Sequence, residues 1–174
     1  MNQAWRIDRR EAVLAVIDVQ EKLLPVIAEK ERVLDNTAKL VRFAGIIGLP
    51  VVVTEQDKLG STVADLGEPL GQAPRFSKIT FDCFGEQAFA DYMARLGRSS
   101  LIVCGIEAHI CVAQTVLTAL EKKAAVHVVG DAAGSRSPHN KDAALARLRR
   151  AGAVITTTGG AAHGNKSKKG RKDP

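Results

Sequence analysis

Val13-Leu-Ala-Val-Ile17, followed at once by Asp18, is the stretch on which the fold turns. Five consecutive apolar residues, rich in β-branched side chains, are too few for a helix and show no alternation. They read as a strand buried on both faces, the kind that parallel sheets contain. Beyond it, residues from about Arg32 to Gly48 place Val33, Thr37, Leu40, Val41, Ala44 and Ile47 near a 3.6 period, which predicts a helix. Gly48-Leu-Pro50 stops that helix, and Val51-Val-Val-Thr54 is the next strand. The alternation then repeats along the chain.

Residues 55–75 hold Gly60, Gly67, Pro69, Gly71 and Pro74 and read as a loop-rich excursion. Lys78–Phe81 is predicted as a short strand, Gly85–Leu96 as a helix and Ser100–Cys104 as a strand. Gly105–Ile110 is a turn, and Cys111–Lys123 a helix with Val112, Thr115, Val116, Ala119 and Leu120 on one face. Ala125–Val129 is a strand, a helix runs from Pro138 to Arg150, and Ala153–Thr157 closes the series. Strands alternating with helices give a parallel sheet covered on both sides. Right-handed crossovers make it a doubly wound, three-layer α/β/α sandwich.

The 174 residues, 45% hydrophobic and 25% charged, suit one globular domain. With only 4% aromatics, the core must rest on Val, Ile, Leu and Ala. No apolar stretch approaches a bilayer span, so no membrane role is expected. The net charge of +6 invites a nucleic-acid partner, but its distribution argues against one. Lys166, Lys168, Lys169, Arg171 and Lys172 against Asp173 give residues 161–174 a net +4, leaving +2 for residues 1–160. Those fourteen residues are expected to be a basic, disordered tail to a domain spanning 1–160. Met1–Arg10 holds no apolar run of the kind an export signal needs, so a cytoplasmic, reducing location is expected.

In a doubly wound sheet, ligands bind beyond the carboxyl ends of the strands. The first strand ends in Asp18 and Gln20, and the second in Thr54-Glu-Gln-Asp57. Asp18 alone would also serve as a helix N-cap, and Lys78 alone as a surface lysine. Of three cysteines, Cys104 lies within a strand, and it and Cys83 read as small buried hydrophobes. Cys111 reads equally as such a hydrophobe or as a nucleophile, because it follows the turn Gly105-Ile-Glu-Ala-His-Ile110 and opens a helix. A thiol there sees the positive end of the helix dipole, which favours the thiolate. Backbone N–H groups of that turn lack intrahelical partners and suit an oxyanion. A nucleophile, a candidate base and a cation thus share one sheet edge, as an activated-thiol site requires. His127, His139 and His163 are poorly placed as the base, which leaves Asp18 and Lys78 as the activating pair.

These residues, in this order, resemble the isochorismatase-like cysteine hydrolase superfamily. The resemblance covers about residues 11–158. It rests on Ala15-Val-Ile-Asp18-Val-Gln20, Phe76-Ser-Lys78, Gly105-Ile-Glu-Ala-His-Ile-Cys111-Val, Thr54-Glu-Gln56 and Asp131-Ala-Ala-Gly-Ser-Arg136. Within it, Thr-Glu-Gln and Gly-Ile-Glu-Ala-His-x-Cys look most like the isochorismatase-domain-containing branch. The resemblance implies a six-stranded, Rossmann-like parallel sheet and a catalytic set of Asp18, Lys78 and Cys111. It further implies a cis peptide between Ile106 and Glu107, which turns the Glu107 N–H toward the oxyanion beside that of Cys111. The expected pocket lining is Gln20, Leu24, Gln56, Phe81, Phe84, His109 and Ile110, of which Leu24 and Phe84 could equally be core.

Departures from the family pattern narrow the chemistry. Nicotinamidase-type members hold a metal through histidines after the second strand, but Thr54-Glu-Gln-Asp-Lys58 has none, so neither a metal nor another cofactor is expected. Isochorismate-cleaving members lack the cysteine that this chain keeps. The expectation is a metal-free cysteine hydrolase of a small amide or related acyl compound, working through a thioester. The alternative is a catalytically silent scaffold or interaction protein. Relatives close with a helix after the last strand, whereas Thr156-Thr-Thr-Gly-Gly160 and the residues beyond it offer no apolar helix face. An uncovered last strand would favour a homo-oligomer.

Overall fold

The computed structural model describes residues 5–163. In chain order it holds β1 (Ala12–Ile17), α1 (Lys30–Ile47), β2 (Val51–Gln56), α2 (Gly67–Leu70), β3 (Arg75–Lys78) and α3 (Gln87–Leu96). There follow β4 (Ser100–Ile106), α4 (Ala113–Glu121), β5 (Ala125–Gly134), α5 (Pro138–Ala151), β6 (Val154–Thr156) and α6 (Thr158–His163). The six strands form one parallel sheet in the order β3-β2-β1-β4-β5-β6. The predicted doubly wound α/β/α sandwich is therefore the fold.

All six residues of β1 are buried, which explains their unbroken apolar run. Successive side chains point to opposite faces. Leu14 and Val16 join the core under α1, whereas Val13, Ala15 and Ile17 join the core under α3, α4 and α5. The chain winds from β1 outward to β3, then crosses back to β4 and winds the other way. That reversal leaves a crevice between the carboxyl ends of β1 and β4, where Asp18 and the 106–111 turn emerge.

At this crevice the two strands approach closely. Gly105 pairs with Ile17, and its φ is +125°. A Cβ built on Gly105 would lie 2.0 Å from the Ile17 carbonyl oxygen, so only glycine fits.

Several boundaries differ from expectation. The third strand precedes Lys78 instead of following it, because Arg75–Lys78 pair with Val53–Gln56. Lys78 thereby ends its strand in register with Gln56. The fifth strand runs on past Val129 to Gly134. Its register against β4 shifts between Val103 and Gly105, whose partners are Val128 and Ala133. The helix predicted from Cys111 begins as α only at Ala113, after a π turn over Ala108–Val112.

The expectation of no closing helix is corrected by α6, six residues long, in which Ala161 is buried in the core under α1. Thr158 also donates from both N–H and Oγ1 to Asp131 Oδ1 on β5, at 2.8 and 2.9 Å, which fixes the first turn. The helix packs against α1 and β5. The expected disorder of the tail beyond α6 lies outside the described residues. Among those described, no helix is long and apolar enough to cross a membrane.

Candidate active site

Asp18 follows β1 in a left-handed conformation, φ +53°, which an aspartate tolerates better than most residues. The side chain is buried and both oxygens are engaged. Oδ1 accepts from Thr54 Oγ1 at 2.7 Å, and Oδ2 accepts from Lys78 Nζ at 2.7 Å. Lys78 is as buried as its partner. Its other protons go to Gln56 Oε1 at 2.7 Å and the Thr80 carbonyl at 3.3 Å. Burial works to lower the pKa of this ammonium, but the Asp18 carboxylate outweighs it, and Lys78 stays above its ordinary value. The pair is charged and nearly saturated with hydrogen bonds.

Thr54 and Gln56 come from one face of β2, two residues apart. Gln56 is oriented because its Nε2 donates to the Ile79 carbonyl at 2.7 Å, leaving Oε1 to face Lys78. The thiol of Cys111 lies 4.0 Å from that same oxygen. Asp18, Lys78 and Cys111, from three strand ends, are thus one cluster.

The thiol departs from expectation in its charge. Burial first, and then the Asp18 carboxylate, push Cys111 well above the ordinary thiol range, with Lys78 only partly opposing them. The expected pull toward a thiolate is thus opposed by burial and by a carboxylate from another strand.

All three thiols contribute to an alkaline limit on stability. Burial raises Cys83 to about 11 and Cys104 to about 12, from an ordinary 9.0. Between these values the unfolded chain gives up thiol protons that the folded chain keeps, so stability falls as pH rises. The urea midpoint is expected to drop steadily from pH 9 to pH 11, and to drop less in Cys104→Ala. A flat profile would contradict the buried, neutral thiols.

The peptide between Ile106 and Glu107 is cis. Ile106 is core, and the Glu107 carboxylate is buried. It accepts from Arg136 N at 2.9 Å and Arg136 Nε at 3.1 Å, which ties the turn to the end of β5. His109 is half-buried, with Nδ1 2.9 Å from Ser135 Oγ, and Ile110 packs partly against the core. Phe81 is exposed on the loop after Lys78.

Three residues expected to line the pocket do other work. Gln20 is buried with its amide fully used. Oε1 accepts from Gln56 N at 2.8 Å, and Nε2 donates to the Gln56 and Gly60 carbonyls at 3.0 and 2.6 Å. It pins the 56–60 loop and keeps no polar atom for a ligand. Leu24 belongs to the core under α1. Phe84 packs its ring on Phe89 and lies under Lys122, at the end of α4 remote from Cys111. Thr54 was missed as a site residue, although its spacing from Gln56 on a strand was the signal that could have found it.

Among the described residues no three His, Cys, Asp or Glu are grouped to hold a metal ion. A family model, the isochorismatase domain, matches residues 12–159. The chain is 36% identical over 157 residues to isochorismatase domain-containing protein 2 of Danio rerio, covering 89% of this chain and 79% of that one. Among solved structures it is similar to the MAR1 ribonuclease of Caenorhabditis elegans, with TM-score 0.86 and 35% identity over 91% of this chain and 83% of that chain. It is also similar to YcaC from Pseudomonas aeruginosa, solved with hexane-2,5-diol and covalent acrylamide. There the TM-score is 0.89 and the identity 27%, over 95% and 84% of the two chains. With sheet order, cis peptide and family match in agreement, the chain belongs to the isochorismatase domain family.

Proposed function

We propose that this protein is a metal-free cysteine hydrolase that cleaves a small amide or related acyl compound through a thioester on Cys111. The observation that carries this reading is the Cys111 thiol, 4.0 Å from the Gln56 oxygen that binds Lys78, in one buried cluster with an Asp18 carboxylate held by Lys78 and Thr54. Asp18 takes the thiol proton as Sγ attacks the substrate carbonyl, and the Glu107 and Cys111 N–H groups hold the oxyanion. Asp18 returns the proton to the departing amine, leaving the acyl group on sulfur. A water then gives its proton to Asp18 and attacks the thioester, releasing the acid and restoring the thiol. Lys78 keeps its protons throughout and balances the negative charge as it moves between sulfur and carboxylate. The metal-free part of this reading rests on the absence of histidine from Thr54-Glu-Gln-Asp-Lys58. Covalent acrylamide in the P. aeruginosa relative is in keeping with a nucleophile in this fold.

The likeness to a ribonuclease raises RNA as a second substrate class. A panel of small amides and esters, run beside a structured RNA, separates the two. Cys111→Ala is expected to lower turnover of the small acyl substrate by at least about 10⁴-fold while leaving the fold intact. Intact-mass spectrometry of the native protein during turnover is expected to show the acyl adduct on Cys111. RNA cleavage that survives Cys111→Ala, with no acyl turnover, would overturn the proposal. So would an inert response to the whole panel, which is the outcome a silent scaffold gives.

A further inference from the structure

Strand β5 carries a histidine that the chemistry proposed above leaves idle. His127 pairs with Ile102 on β4 and with Val154 on β6. Ile102 belongs to the core under α1, so the His127 side chain, level with it, points to that same face. Val126 and Val128, on either side of it, join the opposite core. The imidazole is 1% exposed, and its Nε2 has no hydrogen-bond partner among the described residues. Buried polar atoms are seldom left so, and each such case calls for a physical explanation.

The element that covers this ring is α6. On one flank Ala161 lines a small void together with Ile102, Leu14 and Leu40. On the other, a Cβ built on Gly160 would lie 2.5 Å from Thr156 Oγ1, and Thr156 shares the face of Val154, two residues before it. Between these two contacts α6 crosses β5 over His127. The cover is a weak one. Thr158-Gly-Gly-Ala-Ala-His163 holds two glycines, which are poor helix formers, and it buries Ala161. Elements with so little buried apolar surface are the first to open.

Nothing that faces the ring from the strands beside it or from the buried side of α1 carries a charge. Those neighbours are Ser100, Ile102, Val154 and Thr156, with the Cys104 thiol further along β4. Arg6 and Asp8 flank the core residue Ile7, and Arg10 holds Asp8 at 2.7 Å. Asp131, further along β5, accepts both bonds from Thr158, and His163 ends α6. Burial lowers the pKa of His127 from the ordinary histidine value.

We propose that α6 is an acid-released latch, in which uptake of a proton by His127 is coupled to lifting of α6 from the sheet. While α6 is closed, the ring is kept from water and stays neutral. Once α6 lifts, the imidazole is solvated and takes a proton as an ordinary histidine does, near about pH 6.5. The open form therefore binds more protons than the closed one. The closed form is fully favoured above about pH 6.5 and loses ground as pH falls, by about tenfold per pH unit. Opening uncovers Ile102 and Val154 while β1 and β4 keep their ladders.

Amide hydrogen exchange on the full chain tests this. Ala161 N–H donates to the Thr157 carbonyl at 2.8 Å, and Leu14 N–H, in the central sheet, donates to the Pro50 carbonyl at 2.9 Å. With intrinsic rates divided out, protection at Ala161 is expected to fall about tenfold per pH unit below about pH 6.5, or about 100-fold by about pH 4.5. Leu14 is expected to stay protected. In His127→Leu the Ala161 protection is expected to be flat over the same range, with Leu14 reporting that the variant is folded. An imidazole NMR titration of the native protein needs no variant. At about pH 5.5 the His127 ring is expected to be neutral, where an accessible one is mostly charged. A flat Ala161 profile in the native protein would overturn the proposal, as would a His127 ring charged at that pH while Ala161 stays protected. The same slope in folded His127→Leu would assign it to Asp131 or His163 and overturn it too. So would parallel loss at Leu14, which is global unfolding and not release of α6.

Discussion

Lys78→Met is expected to destabilise the protein by about 3–5 kcal/mol and to remove any acyl turnover it has. The size of this effect follows from where the pair sits. Neither Asp18 nor Lys78 exposes its side chain, so removing the ammonium leaves a carboxylate in the interior with Thr54 and the Cys111 thiol as its side-chain donors. A buried charge without its partner is far more costly than an intact pair is stabilising. The double variant Asp18→Asn with Lys78→Met removes both charges and is expected to recover much of the loss, though none of the turnover. Urea denaturation of the three variants measures the coupling directly. A loss under about 1 kcal/mol in Lys78→Met would mean that water reaches the pair. The same substitution also removes the one nearby charge that holds the Cys111 thiol down. Iodoacetamide is therefore expected to alkylate Cys111 more slowly in folded Lys78→Met than in the native protein.

Gly105→Ala is expected to cost at least about 3 kcal/mol, through backbone and not through side-chain packing. The added Cβ would meet the Ile17 oxygen at 2.0 Å and the Ile17 nitrogen at 2.7 Å, and neither atom can swing away as a side chain could. Relief would come only by parting β1 from β4 at the point where Asp18 is presented. Activity is thus expected to fall even under conditions where the variant remains folded. Gly97→Ala is the control. Gly97 also has positive φ, +60°, but nothing lies within 4 Å of its would-be Cβ. Its cost is expected to stay near 1–2 kcal/mol, the usual cost of a left-handed residue. Equal losses at the two positions would show that conformation, not close approach, governs Gly105.

The layered fold was legible because its strands are buried on both faces, and so read as apolar runs. Those runs mark β1, β2 and β4 without reference to anything distant. The short outer elements were not legible in this way. Arg75-Phe-Ser-Lys78 has no apolar run, and pairing with Val53–Gln56 is what makes it a strand. Helix α6 depends on a carboxylate 27 residues earlier in the chain. In the site, Asp18, Lys78 and Cys111 could be read because each ends or follows a recognisable element. Gln20 and Phe84 could not be assigned so, since sequence shows a residue's chemistry but not which neighbours use it. An amide beside a strand end suits a ligand or a loop equally well, and three hydrogen bonds decided for the loop. The upward shift of the thiol was hidden for a related reason. A helix dipole can be inferred from local sequence, whereas burial and a carboxylate from another strand cannot.

The two outermost strands, β3 and β6, are also the shortest, at four and three residues. Pro74 stands immediately before β3, and Arg75 is exposed on it. A sheet that ends in strands this brief offers almost no ladder for a foreign strand to extend. The long, sticky strands β1 and β4 stay innermost, shielded by their own neighbours. A chain so rich in Val and Ile is thereby guarded against amyloid-like stacking through its margins. A hinge that freed β3 would expose β2, whose Val51-Val-Val-Thr54 is the segment most suited to such growth.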